Sequence, residues 1–293
     1  MDYQAFLAKH RLDADYQRVA QKWFTPLGDA IASHHNGAKK PFLVGLNGAQ
    51  GSGKSTLADF LHDYLTQQHR LSVVVLSLDD FYLNQSERMA LSIKTHPLFK
   101  TRGVPGTHDT ALIEKTLNRL GEYGTVSIPR FNKATDNPFA VIDWPIVNAP
   151  VDVVIFEGWC WGATPQSDKA LQDSINELET EHDGLGVWRD YVNTKLQNEY
   201  TPLQQRMDYW VMLGAPDFEC VLNWRIEQEH KLLDTLGETD AKSGIMDDSQ
   251  IAYFIAHFER LTRHILSTLP ETVDCYYQLD ENRAITDAKA SFL

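Results

Sequence analysis

Phe42-Leu-Val-Gly-Leu-Asn-Gly-Ala-Gln-Gly-Ser-Gly-Lys-Ser-Thr56 runs from an apolar strand through a glycine-rich loop into the start of a helix. Gly48, Gly53, Lys54 and Ser55 fill the G-x-x-x-x-G-K-[ST] pattern of a P-loop, with Ala49, Gln50, Gly51 and Ser52 inside it and Thr56 just after. Small residues let backbone N–H groups turn inward around a phosphate. Lys54 is expected against the β- and γ-phosphates and Ser55 as a magnesium ligand. The dipole of the helix opening near Lys54 adds a favourable field. The neighbouring residues are those the motif demands. Pro41 and the apolar Phe42 to Leu46 supply the strand, while Leu57, Phe60, Leu61, Tyr64 and Leu65 recur at helical spacing and give the next helix a buried face.

Downstream, Leu71 to Leu78 is a β-branched apolar run of strand length that ends in Asp79-Asp80-Phe81-Tyr82. Ligands of open parallel α/β sheets bind at the carboxyl ends of strands, so this carboxylate pair points at the crevice of the P-loop. One carboxylate can accept the proton of an attacking hydroxyl, and the other can stabilise the turn or hold a magnesium-bound water. Val151 to Phe156 is a second apolar strand, closed by Glu157-Gly158-Trp159. An acid after four apolar residues is the Walker-B arrangement, which contacts magnesium directly or through water.

Residues 83–108 read as a long connection with little periodicity, carrying Lys94, His96, Lys100, Arg102 and His108. Val126 to Lys133 is a short extended piece with two further cations, Arg130 and Lys133. In so acidic a chain, positive charge gathered locally fits the binding of a small anion, with Arg102, His108, Arg130 and Lys133 as candidates. Asp109 reads as the N-cap of the helix carrying Leu112, Ile113, Leu117 and Leu120.

Residues 2–38 read as amphipathic helix interrupted at Pro26, with His34-His35-Asn36-Gly37 as its solvated end. Beyond the Walker-B strand, a helix is expected over Trp188 to Leu196 and a strand over Tyr209 to Leu213. An amphipathic helix from Phe218 to Leu236 can present Arg225 to bound phosphates as a lid. Ile251 to Leu266 reads as a long core-facing helix and Cys275 to Leu279 as the last strand. Strands thus alternate with helices, which predicts a three-layer α/β domain of P-loop NTPase type over residues 41–293. Its sheet should be mostly parallel with about five strands, preceded by an N-terminal helical extension over residues 1–40.

The chain has 293 residues, 43% of them hydrophobic, enough for a substantial core. Its formal charge of -13 argues against nucleic acid, whose binding rests on neutralising phosphates with Lys and Arg. Cys160, Cys220 and Cys275 are far apart without C-x-x-C spacing, which indicates reduced thiols rather than disulfides or a zinc site. The N-terminal stretch has no apolar h-region, and no run of about eighteen apolar residues spans a membrane, so a cytoplasmic protein is expected.

Taken together, Gly48 to Thr56, Ser77-Leu-Asp-Asp-Phe-Tyr82, Arg102-Gly-Val-Pro-Gly-Thr-His-Asp109, Pro129-Arg-Phe-Asn-Lys133 and Phe156-Glu-Gly-Trp159 resemble the plant-type D-glycerate 3-kinases and their fungal and bacterial relatives. These sit within the larger group of uridine kinase, phosphoribulokinase and pantothenate kinase. The resemblance runs from about Pro41 to the C-terminus and includes Trp144-Pro145, Trp224-Arg225 and Gly244-Ile-Met-Asp247. It implies ATP and Mg2+ as cofactors. It further implies Asp79 as catalytic base, Lys54 as the P-loop lysine, and Ser55, Asp79 and Glu157 around the magnesium, with Tyr82 beside Asp79 on the acceptor side. The sequence departs from the pattern at Ala134-Thr-Asp-Asn-Pro138, which carries an acid where the family has further glycines and arginines.

The leading expectation is therefore an ATP-dependent kinase for a hydroxyl on a small acidic metabolite, D-glycerate first, with pantothenate or a uridine-type nucleoside as alternative acceptors. A regulatory GTPase should show Asp-x-x-Gly after a strand and Asn-Lys-x-Asp. Here Asp234-Thr-Leu-Gly237 falls in or at the end of a helix and Asn132-Lys-Ala-Thr-Asp136 has one residue too many. A nucleotide-binding protein without turnover is disfavoured by the intact Lys54, Asp79 and Glu157 set.

Overall fold

The computed structural model describes residues 1–35, 41–235 and 247–292. Asn36, Gly37, Leu236, Gly237 and Gly244 to Met246 lie outside the described residues. Helices α1 (Tyr3–His10), α2 (Asp15–Val19) and α3 (Thr25–His35) precede strand β1 (Phe42–Gly48) and the P-loop helix α4 (Lys54–His69). Strand β2 (Val73–Ser77), helices α5 (Gln85–Lys94) and α6 (Thr110–Arg119), and the short strands β3 (Gly124–Ser127), β4 (Phe131–Asn132), β5 (Asn137–Pro138) and β6 (Ile146–Ala149) follow. After β7 (Val153–Gly158) come α7 (Glu177–His182), α8 (Val187–Lys195), α9 (Thr201–Gln204) and β8 (Tyr209–Gly214). Helices α10 (Phe218–Thr235) and α11 (Asp248–Thr268) lead to strands β9 (Cys275–Leu279) and β10 (Ile285–Ala290).

The main sheet has six strands in the order β10-β9-β8-β1-β7-β2. All neighbours pair in parallel except β10, which runs antiparallel to β9. The expectation of about five strands, ending at Leu279, thus falls one short. Strand β10, Ile285-Thr-Asp-Ala-Lys-Ala290, is a half-exposed edge strand with an irregular register. Polar, broken edges guard against unwanted pairing and carry no apolar run by which to be recognised.

Alternation along the strands sends side chains into two cores. Val44, Leu46, Val153, Ile155, Val211 and Leu213 face a cluster with Leu57, Phe60 and Leu61 of α4. Phe6, Phe24, Leu27 and Ile31 from the N-terminal helices are buried in that same cluster. On the other face Leu43, Val74, Leu76, Val154, Phe156 and Met212 pack with Ile113 and Leu117 of α6 and with Ile251, Ile255 and Phe258 of α11. Period-two alternation between two buried faces is what a sheet covered by helices on both sides requires, and it makes three layers.

Several local expectations are corrected. The helix does not stop at Pro26, because α3 starts at Thr25 after a π-turn over Ala20–Phe24, in which Thr25 N–H bonds the carbonyl of Ala20. The same device recurs at Leu196–Tyr200, where Thr201 N–H bonds the carbonyl of Leu196 just before Pro202. A proline ring presses on the carbonyl of residue i−4 and offers no N–H, and a widened turn in front of it relieves both problems. Residues 83–108 are not structureless, since they hold α5, opened by a capping box between Asn84 and Glu87. Met89 and Ile93 are exposed, so α5 has no buried stripe to advertise itself. His35 is buried 3.7 Å from Asp152 rather than solvated. No helix among the described residues is long and apolar enough to cross a membrane.

Candidate active site

The carboxyl ends of β1, β2 and β7 meet at one cleft of about 440 Å³. Glu157 stands opposite Leu46 of β1 and Ser77 of β2, so register alone brings the P-loop, Asp79 and Glu157 to the same end of the sheet. Buried Asn47 locks that end. Its amide donates to the carbonyls of Trp159 (3.0 Å) and Trp161 (2.7 Å), tying the last turn of β1 to the segment after β7. Asn47 lay inside the quoted motif, but nothing local marked it as a tie.

The P-loop is shaped by positive backbone angles. Gly51 (φ 79°) and Gly53 (φ 90°) occupy the left-handed region, and a Cβ on Gly51 would stand 2.7 Å from Cβ of Trp224. Gly53 therefore lets the chain turn into α4 at Lys54, and Gly51 lets the loop pass beneath α10. Lys54 Nζ lies 3.8 Å from Glu157 Oε2, and Ser55 Oγ donates to Glu157 Oε1 at 3.2 Å. Glu157 is buried, yet its Oε2 accepts no hydrogen bond, and the buried Ser52 Oγ and Gln50 Oε1 are likewise unpartnered. Buried oxygens without partners are costly; Gln50 and Glu157 both line the cleft, and acceptor oxygens of this kind call for a cation or a hydrogen-bond donor.

Asp79 and Asp80 sit on a single 3-10 turn after β2 but point to different neighbourhoods. Asp79 lines the cleft, where Oδ1 accepts from Tyr82 Oη (2.8 Å) and Oδ2 from Lys133 Nζ (2.5 Å). Burial would raise its pKa, but the nearby Lys133 and Lys54 ammonium groups and these two hydrogen bonds outweigh it and hold the carboxyl well below the usual range. Asp80 turns to the chain behind, accepting from Phe131 N (3.0 Å) and Arg130 Nη1 (3.2 Å). Its pKa is raised, mainly by burial and also by the Asp79 charge, against the Phe131 N–H and Arg130.

The expected anion-binding cations are divided. Arg102 and Lys133 line the cleft with Tyr82, whereas Arg130 is spent on Asp80 and on the carbonyl of its neighbour Pro129. His108 is buried, stacks on Tyr82 (4.5 Å between rings) and shares a 2.6 Å hydrogen bond with Tyr200 Oη. Burial pushes its pKa down to about 3, so at neutral pH it is an uncharged support for Tyr82 rather than a cation. A short bridge holds that support in place, with Leu83 N–H bonding Thr107 O (2.9 Å) and Asp109 N–H bonding Phe81 O (2.7 Å). Asp109 also caps α6 through Leu112 N–H, as expected.

Arg102 is itself oriented. Asp136, left-handed at φ 55° in the β4–β5 turn, accepts from both Arg102 Nη1 and the buried Arg88 Nη2. Trp159 Nε1 bonds the carbonyl of Gly103 (3.0 Å), and Phe258 crowds the same glycine. Phe254 and Phe258 line the cleft as well, although in the sequence they belong to the apolar stripe of α11 and carry no signal that separates lining from core. Arg225 of α10 also faces the cleft, paired with Glu229 at 2.7 Å.

The profile of the phosphoribulokinase/uridine kinase family matches residues 43–173. The chain is 34% identical over 258 residues to the uncharacterized kinase mug58 of Schizosaccharomyces pombe, covering 83% of this chain and 90% of that protein. It is 28% identical over 256 residues to the chloroplastic D-glycerate 3-kinase of Arabidopsis thaliana, 82% of this chain but only 52% of the longer plant protein. Among solved structures, D-glycerate 3-kinase from Cryptococcus neoformans superposes with a TM-score of 0.75 at 26% identity, covering 95% of this chain and 99% of that one.

Proposed function

This chain belongs to the phosphoribulokinase/uridine kinase group of P-loop kinases, alongside D-glycerate 3-kinase, and on that premise we propose that it transfers the γ-phosphoryl group of ATP to the 3-hydroxyl of D-glycerate. The observation that carries the reading is the contact of Asp79 with Lys133 inside the cleft that also holds Lys54 and Glu157. A carboxylate able to take a hydroxyl proton then stands beside an ammonium able to hold the acceptor's own carboxylate. Both face the loop that grips the phosphates.

The residues fit a magnesium–nucleotide. Glu157 Oε2, which accepts no hydrogen bond and has Lys54 Nζ at 3.8 Å, and the Ser55 hydroxyl are protein oxygens offered at the P-loop, and Mg2+ ordinarily takes one or two such groups and completes its shell with phosphates and water. When bound there, the metal would neutralise phosphoryl charge. Lys54 adds its charge to the same phosphates, and Arg225 approaches from α10. Arg102, held by Asp136, and Lys133 orient the acceptor so that its 3-hydroxyl faces the γ-phosphorus. Arg102 gives Nη1 to Asp136 and lines the cleft, where a planar guanidinium recognises a carboxylate better than a point charge does. The acceptor oxygen forms the new P–O bond, the bond from phosphorus to the β,γ-bridging oxygen breaks, and the hydroxyl proton passes to Asp79 while ADP leaves. Tyr82, stacked on neutral His108, holds the Asp79 carboxylate at the required angle.

The test is ATP consumption against a panel of D-glycerate, pantothenate, uridine and ribulose 5-phosphate. Glycerate should give the highest kcat/KM. Turnover with uridine and none with glycerate would replace this reading by the nucleoside-kinase alternative.

A further inference from the structure

The turn between β9 and β10 lies at the same end of the sheet as the P-loop, because β9 runs parallel to β8 and β8 to β1. It is a tight, prebuilt turn, in which Asp280 Oδ1 accepts from Asn282 N–H and Ala284 N–H, both at 2.8 Å. Arg283 N–H bonds the Asp280 carbonyl at 3.0 Å, and Arg283 itself is held at φ 67°. From there the guanidinium makes three contacts. Nε donates to the carbonyl of Gly51 at 2.8 Å, Nη2 donates to Glu227 Oε2 at 2.5 Å, and Cζ lies 5.2 Å from the centre of the Trp224 ring. Trp224 is in turn tied back to the same turn, its Nε1 donating to the carbonyl of Glu281 at 2.7 Å.

We propose that Arg283 is a positioning residue for the phosphate-binding loop, holding the Gly51–Ser52 peptide in its nucleotide-binding orientation from a C-terminal hairpin that lies outside the P-loop motif. The physical basis is the planarity of the peptide unit. Fixing the Gly51 carbonyl also fixes the Ser52 N–H, which points the other way and bonds Ala49 O at 3.2 Å. That peptide is therefore gripped at both ends, in a loop whose glycines at positions 48, 51 and 53 would otherwise leave it free to adopt many conformations. Trp224 closes the remaining direction, because its Cβ leaves no room for a side chain on Gly51. Ordering the loop in advance removes an entropic penalty from nucleotide binding. The acceptor side, around Arg102 and Lys133, has no part in these contacts.

This inference rests on the reading of Gly48 to Thr56 as the ATP site, and the experiment separates the two. MgATP binding to the full chain is measured by calorimetry without acceptor, for the wild type, Arg283→Lys and Arg283→Ala, together with the melting temperature and the KM of each substrate. Arg283→Lys keeps the charge but cannot serve Gly51 O and Glu227 together, so it isolates geometry from long-range attraction. Both variants should bind ATP about tenfold more weakly, the magnitude of one charge-assisted hydrogen bond, with acceptor KM unchanged and kcat at saturating ATP within about twofold. Wild-type affinity for ATP in Arg283→Lys would overturn the proposal, as would a fall in melting temperature unaccompanied by any loss of ATP affinity. A wild-type chain that binds no MgATP would instead overturn the nucleotide reading itself.

Discussion

Replacing Asp79 by Asn separates catalysis from stability, because the two effects differ in size. The amide keeps the shape and can still accept from Tyr82, but it has no negative charge for Lys133 and cannot take a proton from the acceptor. The stability term is small. The Asp79 and Lys133 side chains are 34% and 60% exposed, and ion pairs so open to water contribute at most about 1 kcal/mol. In a chain of this size that shifts the melting temperature by no more than about 3 °C. The catalytic term is larger, since a positioned base accounts for roughly a hundredfold to ten-thousandfold in rate, or about 2.7 kcal/mol and upward in the barrier. Glycerate-dependent turnover should therefore fall by at least about a hundredfold while ATP affinity, measured by calorimetry, stays within about threefold. Asp80→Asn is the control. Asp80 faces Phe131 N–H and Arg130 instead of lining the cleft, so its neutral amide should cost turnover much less than the change at Asp79. If Asp80→Asn proved the more damaging to kcat, or if Asp79→Asn kept turnover within about fivefold of wild type, Asp79 is not the base.

Glu157→Gln should raise the Mg2+ concentration for half-maximal activity by about tenfold or more, as expected when a group that orients a bound metal loses its charge; an unchanged Mg2+ titration would remove Glu157 from the metal site. His108, with an ordinary pKa of 6.5 and a folded value near 3, binds its proton more readily in the unfolded chain. Its contribution to stability is complete above pH 6.5 and is lost as pH falls from there towards 3, by up to about 1.4 kcal/mol per pH unit. His108→Gln should flatten the acid side of the melting-temperature profile between pH 6.5 and 4, without abolishing the slope, because burial depresses His257 and His264 in the same direction. An equally steep profile would show that His108 titrates normally.

What the sequence determined by itself is the part of the site written in consecutive residues. The P-loop, the apolar runs that become β2 and β7, and the acids closing them are local patterns, and parallel pairing at a common register carries Asp79 and Glu157 to the P-loop end without further instruction. The long helix α11 and the N-cap of α6 were legible for the same reason, since periodicity and capping act within a few residues. The division of labour among like-charged residues was decided only by the tertiary structure. Asp79 and Asp80 are adjacent, and so nearly are Arg130 and Lys133, yet the 3-10 turn after β2 and the β4 strand send one of each pair to the cleft and the other to the scaffold. His108 sits in a basic stretch but loses its charge to burial, which depends on Tyr200, 92 residues away. The bond from Arg283 to Gly51 spans 232 residues and arises from an edge strand with no apolar signal. Residue type shows that a side chain can ionise or donate; which partner it meets, and how much water remains there, is settled only when distant segments pack.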